Sequence, residues 1–220
     1  MVDHERDWIE VYFIFWCRFI SSGNRDERRQ NPDIQIPRTI NALVALRSQL
    51  PSEVKSALST ESLRSMNTQN LEPISKSGLA LWDGIYSPHH VKLLAKLGEA
   101  HPDLPVHILH SHYSHLLSDP LSKFPEGHHK IGRVLTSVVA IACLRAQQGV
   151  APQLTSHVFG LKKALLEGGG GEGEKGLVQG EEWLTDDAGV EWVLDSTDKI
   201  SEVVAGRTSF AGPVGEKAKL

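Results

Sequence analysis

The stretch over residues 130–166 limits the possible folds more than any other part of the chain. Nearly every position from Val134 to Leu144 is apolar, with only Thr136 and Ser137 breaking the run. A helix that is apolar all round has no face to turn to water, so other elements must enclose it. The pattern predicts a helix over 130–147 at the centre of the core. Gly149-Val150-Ala151-Pro152 then breaks the chain. A proline in the first turn suits a new helix start. That second helix carries Thr155-Ser156-His157 and is expected to run to residue 166.

Helical punctuation continues on both sides. Residues 39–50 read as a helix that stops at Pro51, which opens a short helix through residue 59. A helix over 75–86 follows Pro73. Ser87 as N-cap and Pro88 as first helical residue predict a further helix, with Val91, Leu94 and Leu97 on one face. His101-Pro102-Asp103 interrupts it, and Asp103 is the expected cap for a helix over 104–117; residues 119–127 read as a loop. After a flexible Gly-rich tract at 168–173, helices are expected at 181–184 and 188–205, packing through Trp192, Leu194, Ile200 and Val203. There is no internal repeat and hardly any strand signal after residue 38. The expected class is all-α: a multi-helix bundle over 38–205, an extension and linker at 1–37 outside the core, and a flexible tail at 206–220. The aromatic run from Trp8 to Trp16 stays open between strand, buried helix and poorly specified arm, because periodicity does not separate them.

Composition narrows the partners. Of 220 residues, 40% are hydrophobic and 23% charged, which suits a globular chain. A formal net charge of −4 and no basic stripe beyond Arg25–Arg29 give no reason to expect nucleic acid. Cys17 and Cys143 lie far apart in apolar surroundings, as packing thiols of a reducing compartment do. The most apolar N-terminal stretch, 8–20, contains Glu10 and Arg18, so no stable membrane insertion is expected. Asp3, Glu5 and Asp7 oppose both a secretory signal and a transit peptide. The last three residues, Ala218-Lys219-Leu220, have a small residue, a base and a leucine carboxylate. That is close to the tripeptide read by the peroxisomal import receptor, which makes the peroxisomal matrix the expected location and the cytoplasm the alternative.

Histidines crowd one region: His89, His90, His101, His107, His110, His112 and His115. At about 100° per residue, His107 neighbours His110 and His112 neighbours His115, and the two pairs point to different faces. A metal centre needs ligands converging on one point, and Glu99 and Asp103 are the obvious acids nearby. No metal ligand is assigned on this pattern. His110 and Tyr113 are instead candidates to line a pocket with His157.

Three strings carry a resemblance: Pro88-His89-His90-Val91-Lys92-Leu93-Leu94, the run from His101 through His107, and, most specifically, the run from Leu144 through Gly160. Through them the region 87–166 is similar to fungal proteins of the alkyl hydroperoxidase D-like (carboxymuconolactone decarboxylase-like) superfamily. The resemblance implies an all-helical fold, usually assembled as a homo-oligomer, and requires no cofactor. The family's peroxidase chemistry uses a Cys-x-x-Cys-x-x-x-His motif and an upstream glutamate. Here the two cysteine positions hold Val150 and Gln153, the histidine position holds His157, and the glutamate position falls near Val138. Only thiolates among these groups carry the redox chemistry, so dithiol peroxidase activity is not expected. Carboxymuconolactone decarboxylation in this superfamily needs no thiol. The implied reaction is therefore a proton-transfer lyase or isomerase step on a small organic acid or lactone. His157 would be the acid/base group, and Arg145 or Gln153 a polar contact. Ser156 is no partner for His157, since adjacent residues do not share a helix face. A non-catalytic binding or assembly protein that keeps the fold is the alternative, and a His-ligated metalloenzyme a further one.

Overall fold

The computed structural model describes residues 32–58, 60, 62–120, 131–147, 149–166 and 178–205. Among them all regular structure is helical. The elements are α1 (Pro32–Gln49), α2 (Ser52–Ala57), α3 (Leu71–Tyr86), α4 (His90–Ala100), α5 (Asp103–His107), π1 (Ile108–Leu117), α6 (Gly132–Gln147), α7 (Ala151–Lys162), α8 (Glu181–Thr185) and α9 (Asp187–Ala205). The aromatic run Trp8–Trp16, Cys17, the Gly-rich tract 168–173 and the terminal Ala218-Lys219-Leu220 lie outside the described residues.

The apolar helix is central, as its all-round hydrophobicity requires. Along α6, Val134, Thr136, Ser137, Val139, Ala140, Ile141 and Cys143 are buried. It packs against α7 on one side and α9 on another, while α3 packs along π1 and crosses α7. Two buried clusters result. The first gathers Trp82, Ile85, Tyr113, Leu117, Ile131, Val139 and Cys143. The second, of Val134, Ile141, Leu161, Ala164, Val190 and Val193, is aliphatic throughout. Its outer edge is fastened by Arg145 of α6, whose guanidinium donates from Nε at 2.8 Å and Nη2 at 2.6 Å to the two carboxylate oxygens of Asp198 on α9.

Helix ends differ from the sequence expectation where capping was invoked. Ser87 caps no helix; it ends α3, donating its backbone N–H to the Asp83 carbonyl, and precedes a cis bond to Pro88. The next helix, α4, starts at His90. Asp103 is the first residue of α5 rather than its cap, and its N–H donates 3.1 Å to Nδ1 of His101. The aspartate that does cap is Asp119, whose carboxylate accepts the N–H of Ile131 at 3.0 Å and that of Gly132 at the start of α6. At the other end of the chain, α1 begins at Pro32 rather than at residue 39.

The predicted helix over 104–117 is one rod with two registers. Past His107 it widens into π1, shown by Ser118 N–H donating to the Tyr113 carbonyl and Ser114 Oγ to the Leu109 carbonyl, each five residues back. Such stretches are rare and are found mostly where function or packing demands them. The packing reason is visible: Gly78 of α3 lies so close to Ser114 that a Cβ would overlap the serine backbone. Glycine lets the two backbones touch, and π1 presents Tyr113, Ser114 and Leu117 to the interior.

Candidate active site

The break at 149–151 sets the direction of α7. Gly149 has φ +71°, a left-handed conformation suited to glycine, and Val150 occupies the N-cap position. Pro152 sits in the first turn. From this start His157 faces inward and is buried, 3% exposed, while Gln153, one turn earlier, is exposed. Gly160, one turn later, packs on Ile85, with only 3.1 Å between an added Cβ and the isoleucine Cγ2. Close contact there brings α7 down on the C-terminal end of α3, where Tyr86 stands.

Three polar groups meet at that crossing. The Tyr86 hydroxyl lies 3.0 Å from Nε2 of His157, and the Tyr113 hydroxyl donates to the Tyr86 oxygen, also at 3.0 Å. Each phenol has one proton. With Tyr113 donating to Tyr86, the Tyr86 proton is left to point at Nε2, and a neutral His157 then carries its own proton on Nδ1. The chain runs Tyr113 to Tyr86 to His157, one group from each of π1, α3 and α7. Both ends are buried and the middle residue, Tyr86, is half-buried.

Aromatic packing fixes these groups. Trp82, one turn before Tyr86, meets Tyr113 edge to face at 5.0 Å and Tyr86 at 4.2 Å, and Tyr86 meets the His157 ring edge to face at 5.5 Å. Edge-to-face contacts of this kind favour one ring orientation. The indole Nε1 of Trp82 is buried with no hydrogen-bond partner. A buried donor of that kind is uncommon and invites a functional explanation. At the rim beside Tyr86, the Lys163 ammonium donates to the Ser87 carbonyl.

The residues expected around His157 separate into two groups. Tyr113 joins it, through Tyr86. His110 does not: it is exposed, with Nδ1 3.4 Å from Ser75 Oγ. Arg145 is taken up by Asp198, whose hydrogen bond raises the arginine pKa above its ordinary value, against the lowering effect of burial, with the charges of Asp198 and Asp195 adding to the rise. Val138, at the glutamate position of the resemblance, packs against the aliphatic cluster. Sequence reasoning missed Tyr86 and Trp82. Their signal was the four-residue spacing that puts both on one face of α3. It also missed Arg133, 2% exposed, which donates from Nη2 to the Gly160 carbonyl at 3.1 Å and so ties α6 to α7 below His157.

A separate cavity of about 280 Å³ lies at the C-terminal end of π1, lined among others by Arg64, Ile74, His115, Ser118 and Asp119. Arg64 there donates to the carbonyls of His115 and Ser118, at 3.0 and 2.7 Å, which satisfies the end of the π-helix. Among the described residues no three His, Cys, Asp or Glu side chains gather as metal ligands, and no helix is long and apolar enough to cross a membrane. No family model matches the chain, and neither the curated proteins nor the solved structures provide a match.

Proposed function

We propose that this chain is an alkyl hydroperoxidase D-like protein without dithiol peroxidase activity. It acts in the peroxisomal matrix as a proton-transfer lyase or isomerase on a small organic acid or lactone. The observation that carries this reading is the Tyr113–Tyr86–His157 hydrogen-bond chain. A phenol bonded to an imidazole is a proton-transfer pair held at working distance. His157 Nε2 draws the Tyr86 proton while the Tyr86 oxygen takes a proton from the substrate carbon; return of that proton to a different atom completes an isomerisation. Tyr86, being half-buried, is the group a substrate meets, and His157 is the proton carrier behind it. Lys163 brings positive charge to the rim beside Tyr86, as an organic acid requires. Val150 and Gln153 stand where the thiols of the resembled family would, so electrons have no carrier at this helix start.

The test is proton exchange. The purified full chain is incubated in D2O with a panel of small lactones and enolisable organic acids, and loss of carbon-bound hydrogen is followed by NMR. Exchange is expected for at least one of them and should fall roughly 100-fold or more in Tyr86→Phe and His157→Asn, while Gln153→Ala retains it. Absence of exchange above buffer, or exchange indifferent to Tyr86 and His157, refutes the enzymatic reading. The second reading, a non-catalytic binding or assembly protein, is favoured by one observation, the 3% exposure of His157 among aromatic rings. It predicts that these substitutions change stability alone. For the location, deletion of Leu220 should disperse a peroxisomal punctate pattern into the cytosol; unchanged puncta would remove the import claim.

A further inference from the structure

The change of register along the 103–117 rod rearranges its histidines. In an α-helix, side chains five residues apart diverge by roughly 140°. The wider π turn instead lays His112 over His107, so the pairing expected from α-helical spacing, His107 with His110, is replaced by His107 with His112. Their Nε2 atoms are 3.3 Å apart, with the rings perpendicular and 4.9 Å between centroids. His107 is exposed and His112 half-buried. On the far side of the His107 ring, Nδ1 lies 3.2 Å from Ser111 Oγ.

We propose that His107 and His112 form a two-imidazole site for a divalent cation of the zinc class, with water completing the coordination. Two nitrogens each about 2.0–2.1 Å from a tetrahedral zinc stand roughly 3.3–3.4 Å from one another. The observed separation is that bite. Zinc takes the neutral ring through an unprotonated nitrogen, and a hydrogen bond from the other ring nitrogen selects the tautomer. Ser111 supplies that bond for His107: Nδ1–H donates to Oγ, and Nε2 is left as the ligand. With the His107 proton on Nδ1, the nitrogen–nitrogen hydrogen bond is donated by Nε2–H of His112. Binding therefore moves that proton to Nδ1 of His112 or releases it to solvent, and exchanges the bond for two metal bonds. With two protein ligands rather than four, the site is weaker than a structural zinc centre. A metal there also pins the α5–π1 junction, and His112 is followed in the chain by Tyr113, so the cation holds the register that places Tyr113 on Tyr86. The assignment of the site rests on the His107–His112 geometry and not on the reaction proposed above.

The experiment uses the full chain stripped with EDTA and titrated with zinc chloride by calorimetry, followed by zinc-edge X-ray absorption. Because the chain has 11 histidines, the comparison between variants decides. Wild type should bind one equivalent that is lost, or weakened at least tenfold, in His107→Ala and in His112→Ala, and kept in His110→Ala. The absorption spectrum of the bound equivalent should show two imidazole nitrogens. Should an alanine variant lose its circular-dichroism spectrum, His107→Gln replaces it, retaining bulk and polarity while ligating zinc poorly. No binding by wild type overturns the proposal. So does binding whose affinity and stoichiometry are the same in His107→Ala and His112→Ala.

Discussion

The two buried clusters on either side of α6 are built by opposite rules. The one between α6, α7 and α9 consists of Val134, Ile141, Leu161, Ala164, Val190 and Val193, with no polar atom among those side chains. The one between α3, π1 and α6 places two phenols, an indole and, from α7, an imidazole in contact. Aliphatic packing is non-directional and fixes the fold with little demand on exact orientation. Buried polar groups have to meet partners at set distances, and a network of them specifies one geometry. The first region is scaffold. The second combines burial with directional hydrogen bonds and a rare π register, a combination that scaffold alone does not require.

Substitutions can break or sharpen this contrast. The largest effect should come from the scaffold: Ile141 is fully buried, and Ile141→Ala should lower unfolding free energy by about 4 kcal/mol in urea titration, through lost burial and a residual cavity. Gly78→Ala tests the contact that widens π1. A Cβ there overlaps the backbone of Ser114, and overpacking against backbone should cost about 3 kcal/mol, with altered near-UV circular dichroism from the shifted Tyr113. Tyr86→Phe removes one oxygen and almost no volume. It should nonetheless lose about 2 kcal/mol, because Tyr113 and His157 both lose a buried partner; Tyr113→Phe, which ends the chain one step earlier, should lose about half of that. A loss of only a few tenths for Tyr86→Phe would make the polar chain no different from the aliphatic side. The smallest effect belongs to the edge of the scaffold: Arg145→Ala should cost about 0.8 kcal/mol, because the pair is partly open to water, and a double-mutant cycle with Asp198→Ala should recover most of it as coupling, since the two charges face each other in a bidentate pair.

Legibility in the sequence follows the same divide. The central position of α6, the break before α7 and the start and end of α8 and α9 could be read because apolar runs and proline or glycine punctuation mark them locally. His157 could be singled out by its place one turn into a new helix, and Tyr113 as a neighbour on a facing helix. The π register could not be read. It accompanies a close approach of Gly78 on α3 to Ser114, from a distant part of the chain, and the α-helical spacing assumed for the histidines paired His107 with the wrong partner. Tyr86 escaped notice for a related reason. The Ser87-Pro88 pair looks like the start of the next helix, whereas Ser87 ends α3, which leaves Tyr86 on the last turn where α7 crosses. Arg145 was a reasonable polar candidate beside the break, but Asp198 lies far along the chain and nothing local announces that pair.

The proposed chemistry requires a fixed bond between the Tyr86 hydroxyl and Nε2 of His157. Long-range proton–nitrogen NMR on imidazole-labelled protein tests it most directly. The predicted spectrum shows His157 as a single tautomer protonated at Nδ1, with an Nε2 shift typical of a hydrogen-bond acceptor that moves in Tyr86→Phe while the exposed His110 signal stays in place. A His157 ring that averages between tautomers, or whose nitrogen shifts ignore the loss of the Tyr86 hydroxyl, would contradict it.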